Sequence, residues 1–156
     1  MKRRLAAGLA ALAIMVMALA GCQEAQVQLD AAQAADAILS AVSFEDEMTA
    51  VDADMRDTLY GTSASDIANA KVYVSTGATA EEIAVFEAVD EAAAGRIAEA
   101  VDKRLEQQRL DYEDYAPAEM PKLNDPALVK EGKYILLCVS NDKAAAMQKI
   151  NELLGK

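Results

Sequence analysis

Two short apolar runs, 52 residues apart, constrain the fold of this 156-residue chain more than any other feature. Glu82-Ile83-Ala84-Val85-Phe86 leads to Asp90-Glu91-Ala92-Ala93-Ala94, and Tyr134-Ile135-Leu136-Leu137-Cys138 leads to Asp142-Lys143-Ala144-Ala145-Ala146. Each is a β-length apolar stretch followed by an Asp and an alanine-rich helix. The second run can pair with Ala127-Leu128-Val129 through Lys130-Glu131-Gly132-Lys133, which reads as a hairpin. Ahead of the first run, Lys71-Val72-Tyr73-Val74-Ser75 alternates and is β-rich, and Thr76-Gly77-Ala78 supplies a turn. The chain therefore reads as two copies of strand–strand–helix, with chance similarity in an alanine-rich sequence as the alternative.

The stretch after the turn carries conflicting signals. Thr79-Ala80-Glu81-Glu82 has the form of a capping box, with Thr at the cap and Glu three residues on. Ile83, Val85 and Val89 alternate with Ala84, Phe86 and Ala88, as a strand would. A single helix over 79–110 would be far longer than a compact domain usually holds. The echo at Tyr134 decides for the strand.

Helical signals fill the rest. Asp30 can cap a helix over 30–43, with Ala35, Ile38, Leu39 and Val42 on one stripe. Glu45-Asp46-Glu47 ends it in a charged turn, a brief strand follows over 48–51, and a helical turn over 54–60 stops at Gly61. Residues 61–69 read as a loop with a short helix begun at Ser65. A long helix is expected over 91–112 on the stripe Ala94, Ile97, Ala98, Val101 and Leu105, with Glu99 and Lys103 as a surface pair. The last helix should start at Asn141 or Asp142, end at Gly155 and bury Met147, Ile150, Leu153 and Leu154. Between them, residues 111–126 are acidic and broken by Pro117, Pro121 and Pro126, which predicts a structured loop with a short helical turn. The sum is an α+β fold, an antiparallel sheet with helices against one face.

The N-terminus reads as a leader. Lys2, Arg3 and Arg4 precede sixteen uncharged residues, Leu5 to Ala20, and Leu19-Ala20-Gly21-Cys22 has the form of a lipidation signal. The run falls short of the roughly 20 residues that span a bilayer comfortably. Cys22 is thus the expected lipidation site, taking a thioether-linked diacylglycerol with palmitate-type chains. An ordinary secretory signal with a chance Cys, or an uncleaved anchor helix, is the alternative. The expected division is a signal peptide at 1–21, a lipidated tether at 22–28 and one α+β domain at 29–156.

Charge narrows the partners. Cleavage before Cys22 would remove 21 of 156 residues and leave 135, taking three of the 15 basic side chains and none of the 26 acidic ones. Net charge would move from −11 to −14. So acidic a chain repels phosphate backbones and anionic lipid, which argues against nucleic acid and leaves the acyl chains as the membrane attachment.

Few residues offer chemistry. The chain has no His, which removes the commonest general base and the commonest zinc ligand. With Cys22 modified, Cys138 is left without a partner inside an apolar run and reads as a buried small hydrophobe. No phosphate-loop, dinucleotide or nucleophile-elbow string occurs. Asp52-Ala53-Asp54-Met55-Arg56-Asp57 lacks the glycine and terminal Glu of a calcium loop, so a solvated face is weighed against a weak cation site. No metal, cofactor or catalytic residue is assigned. Tyr112, Glu113, Asp114 and Tyr115 form the candidate interaction loop, since an aromatic body with a polar tip suits interfaces; packing over the sheet is the other reading of the tyrosines.

Val72-Tyr73-Val74-Ser75, Ala80-Glu81-Glu82-Ile83-Ala84-Val85-Phe86, Tyr115-Ala116-Pro117 and Gly132-Lys133-Tyr134 together resemble the bacterial lipoproteins grouped as domain of unknown function 4358. The resemblance spans 29–154 and implies a lipid-anchored envelope protein, typically of Gram-positive bacteria, without supplying an activity or a functional residue. The expected function is a non-enzymatic module on the outer face of the cytoplasmic membrane, contacting an envelope protein or wall component. A small-ligand or cation-binding lipoprotein is the alternative, and a hydrolase using carboxylates alone is a third reading that needs two acids in one cleft.

Overall fold

In the computed structural model, which describes residues 28–156, the two apolar runs lie side by side at the centre of a five-stranded sheet. The strands are β1 (Thr49–Ala50), β2 (Ile67–Val74), β3 (Glu82–Ala88), β4 (Ala127–Glu131) and β5 (Tyr134–Val139), in the order β1-β2-β3-β5-β4. Every neighbouring pair is antiparallel. The helices are α1 (Ala31–Ala41), α2 (Ala53–Tyr60), α3 (Glu91–Tyr115), α4 (Met120–Asn124) and α5 (Lys143–Leu153). The α+β class expected from the sequence is the one found, and both strand–strand–helix units form, β2-β3-α3 and β4-β5-α5. The leader, Cys22 and all but the last residue of the tether lie outside the described residues.

The helices do not share one face, and here the expectation is corrected. Ala84, Phe86, Ile135, Leu137 and Val139 pack with Ala94, Ile97, Val101 and Leu105 of α3. On the other side Ile83, Val85, Leu136 and Cys138 pack with Ala34, Ala35 and Ile38 of α1 and with Ala146 and Ile150 of α5. The reason is already in the strands. Every residue of β5 and all of β3 but Glu87 are buried. A continuously apolar central strand needs cover on both sides, whereas one-sided packing suits alternating strands. The two helices of the echoed units thus lie on opposite faces, and so do the echoed positions Ile83 and Ile135.

Local chemistry sets the element ends. Asp30, Asp52, Asp90 and Asp142 each cap a helix by accepting the N–H three residues on, at 2.7–3.0 Å. Part of the acidity is therefore spent at helix N-termini, where the helix dipole favours it. Gly61 stops α2 in the left-handed region at φ 63°, which favours glycine. β2 begins at Ile67, four residues before the expected Lys71, with an irregularity between Ile67 and Asn69. The expected loop over 111–126 starts later than its composition indicated, because α3 continues through Tyr115. It ends at Ala116, whose φ −145° and ψ 75° lie outside the helical region that Pro117 disfavours for its predecessor.

Candidate functional site

Glu82 opens β3 and Glu81 immediately precedes it, and these consecutive side chains point in opposite directions. Both carboxylates are buried. Burying an ionised carboxylate is unfavourable unless it is paired and hydrogen-bonded, and each one is.

Glu82 faces α3. Arg104 Nη2 donates to its Oε2 at 2.8 Å and Gln108 Nε2 to the same oxygen at 3.0 Å. The buried Tyr60 hydroxyl, from the end of α2, donates to Oε1. Burial, reinforced by the Glu82 charge, pushes the Tyr60 phenol well above its ordinary range, so it stays a donor. The Tyr60 ring meets Phe86 edge-on, 5.2 Å between centroids, which ties this network to the apolar core.

Glu81 turns the other way. Its carboxylate accepts the backbone N–H groups of Glu45 and Asp46 at 3.0–3.1 Å, closing the turn after α1. Lys122 of α4 lies 3.5 Å from Glu81, 3.0 Å from Glu119 and 2.6 Å from Glu45. Its side chain is only 2% exposed. Burial works against that ammonium, but the bonds to Glu45 and Glu119 and the field of Glu81 outweigh it and hold Lys122 above the usual lysine range. Glu119 also accepts the Ala80 N–H at 2.8 Å. The strand reading of this stretch holds, and Glu81 and Glu82 are two carboxylates at its start with separate tasks.

The four residues of the expected interaction loop form the last turn of α3, not a loop, and the two readings of the tyrosines divide between them. Tyr112 packs: its hydroxyl donates to the carbonyls of Thr79 at 2.6 Å and Gly77 at 3.1 Å. Tyr115 projects, 72% exposed, with its ring edge-on to Tyr112 at 6.0 Å. Glu113 and Asp114 are exposed beside it. The result is a tyrosine and two acids held on a helix end that is itself bonded to the turn before β3.

The other acidic candidates disperse. Asp52 caps α2, Asp57 pairs with Arg56 at 2.8 Å, and Asp54 is exposed. Among the described residues no group of three or more acidic or thiol side chains is placed to hold a metal ion. An open cavity of about 140 Å³ near Lys122 is lined by Pro121, Asp125, Ser140, Asn141 and Lys143. One carboxylate, Asp125, lines it and is paired with Lys143, so it does not offer the two facing acids that carboxylate hydrolysis uses. Cys138 is buried, and burial pushes its thiol up to about 12, which makes it inert at neutral pH. Among the described residues no helix is long and apolar enough to cross a membrane.

The sequence reading missed Glu81, Glu82, Tyr60, Arg104 and Lys122 as a set. One signal was available. The apolar stripe of α3 runs through Ala94, Ile97, Val101 and Leu105 and next meets Gln108, a polar residue at a position whose spacing requires burial. A buried Gln needs a partner, and Glu82 is that partner.

No curated protein and no solved structure matches the chain. The model of the family described as Domain of unknown function (DUF4358) matches residues 40–140. That span holds all five strands, both buried carboxylates with their partners, and the end of α3; most of α1 and all of α5 lie outside it. The chain belongs to the DUF4358 family.

Proposed function

We propose that this protein is a lipid-anchored, extracytoplasmic interaction module without enzymatic activity, held at Cys22 on the outer face of the cytoplasmic membrane. It contacts an envelope protein or wall component through the end of α3. The observation that carries the reading is the contrast at that end: Tyr115 is 72% exposed, while Tyr112 beside it is bonded to the turn before β3 and Glu82 and Lys122 are buried in paired networks. An exposed aromatic flanked by polar residues, on a helix end bonded to the turn before β3, suits recognition. The anchor rests on Leu19-Ala20-Gly21-Cys22 and the positively charged leader before it. Two acyl chains on one cysteine give a stable attachment.

Mild crosslinking in native membranes, followed by affinity capture, tests this reading beside a Cys22→Ala control. The wild type is expected in the membrane fraction with a specific partner, and the variant is expected to be released without it. Equal release of both forms would overturn the anchor. Anchoring without any captured partner would overturn the interaction module and favour a small-ligand role.

A further inference from the structure

We infer that the fold stands on the membrane by its β4–β5 hairpin end and presents the Glu81–Glu82 end, with Tyr115, outward. The inference rests on lipidation at Cys22. The chain enters the fold at the hairpin end, where the Leu29 N–H donates to the Tyr134 hydroxyl at 3.2 Å. Tyr134 is the first residue of β5, directly after the Gly132-Lys133 turn. The Ala88 N–H donates to the Lys133 carbonyl at 2.8 Å, so the end of β3 and the start of α3 lie at this same end. α3 then runs back along the sheet until Tyr112 reaches the carbonyls of Gly77 and Thr79.

Two lengths exclude inversion. Seven residue steps separate Cys22 from Leu29, and a fully extended chain covers at most about 25 Å in that number. α3 has 25 residues and is about 37 Å long at the helical rise. The tether is therefore shorter than the body it would have to pass, and it cannot let the molecule invert to place Tyr115 on the bilayer.

Charge acts in the same direction. At the hairpin end Lys133 pairs with Glu87 and Lys156 with Glu131, and the exposed Lys130 partly offsets the exposed Asp30, Asp90 and Glu91. The outer end carries Glu47, Asp111, Glu113 and Asp114 exposed. An anionic leaflet repels that end over roughly 10 Å, about one Debye length, and turns the acidic pole away.

The test uses the full lipidated protein on vesicles of phosphatidylcholine and phosphatidylglycerol carrying a headgroup energy acceptor. A donor dye is attached through Lys130→Cys, beside the hairpin, or through Glu113→Cys, at the outer end; both positions are exposed and Cys138 is buried. Transfer to the bilayer several-fold higher from position 130 than from 113 is expected. Equal or reversed transfer from protein that floats with the vesicles overturns the orientation while leaving the anchor intact. Failure to float overturns the anchor reading and removes the ground for the orientation with it.

Discussion

The two ends of the sheet are held together by different physics. At the hairpin end the paired charges are Lys133 with Glu87 and Lys156 with Glu131, both at 2.6 Å and both at least partly exposed to solvent. Such pairs contribute little, because water already solvates each partner well. At the other end Glu81, Glu82 and Lys122 are buried, and each carboxylate or ammonium is bonded by several groups from distant parts of the chain. A buried pair adds little over apolar packing, but losing one partner is severe. What such a network supplies is position: α2, α3, α4 and the turn after α1 are each tied to Glu81 or Glu82 at the start of β3. The hairpin end needs no such ties, since a two-residue turn fixes its own register.

Substitutions can break this contrast. The largest effect is expected from Glu82→Ala, which strands Arg104, Gln108 and the Tyr60 hydroxyl and should lower stability by about 3–5 kcal/mol. Urea denaturation followed by circular dichroism measures it; a loss under about 1 kcal/mol, the range of a surface pair, would erase the distinction between the ends. Lys122→Met should follow, at about 3 kcal/mol, because Glu81 and Glu119 then lie buried without a counter-charge. A stabilised Lys122→Met protein would instead mean that the apolar stem outweighs the lost pairs.

The third prediction concerns alkaline pH. Burial raises the Cys138 thiol from 9.0 to about 12, so above about pH 9 the unfolded chain releases a proton that the folded chain keeps. Stability should fall as pH rises from there toward about 12, and Cys138→Ala should flatten the slope between pH 9 and 10. Lys122 acts in the same sense at higher pH: its contribution is present below 10.5 and is lost as pH climbs through its raised folded value. An unchanged slope in Cys138→Ala would show that another group controls the alkaline limb. The smallest effect belongs to Lys133→Ala, at below about 1 kcal/mol. A larger loss would place a buried-type charge at the hairpin end and blur the comparison.

Much of this fold was legible because local rules agreed. The Lys130–Lys133 turn, the Asp30 and Asp142 caps and the Gly61 stop each have a short-range cause, and each stands where the sequence put it. The second apolar face was not recovered, although the unbroken run from Tyr134 to Val139 already implied it. Long-range electrostatics was the other gap. Lys122 sits among prolines and acids in a segment whose composition marks a loop, and nothing local announces that Glu81 and Glu45 converge on it. Tyr112 and Tyr115 were legible as a pair but not as opposites, because their difference depends on where the turn before β3 lies.

The most direct test of the account compares the two ends in one protein, in native membranes, with a photo-crosslinking residue at position 115 or at position 130. The account predicts a discrete protein or wall adduct from position 115 and lipid or none from position 130. A discrete adduct from 130 with none from 115 would contradict it, placing the contact surface at the end assigned here to the membrane.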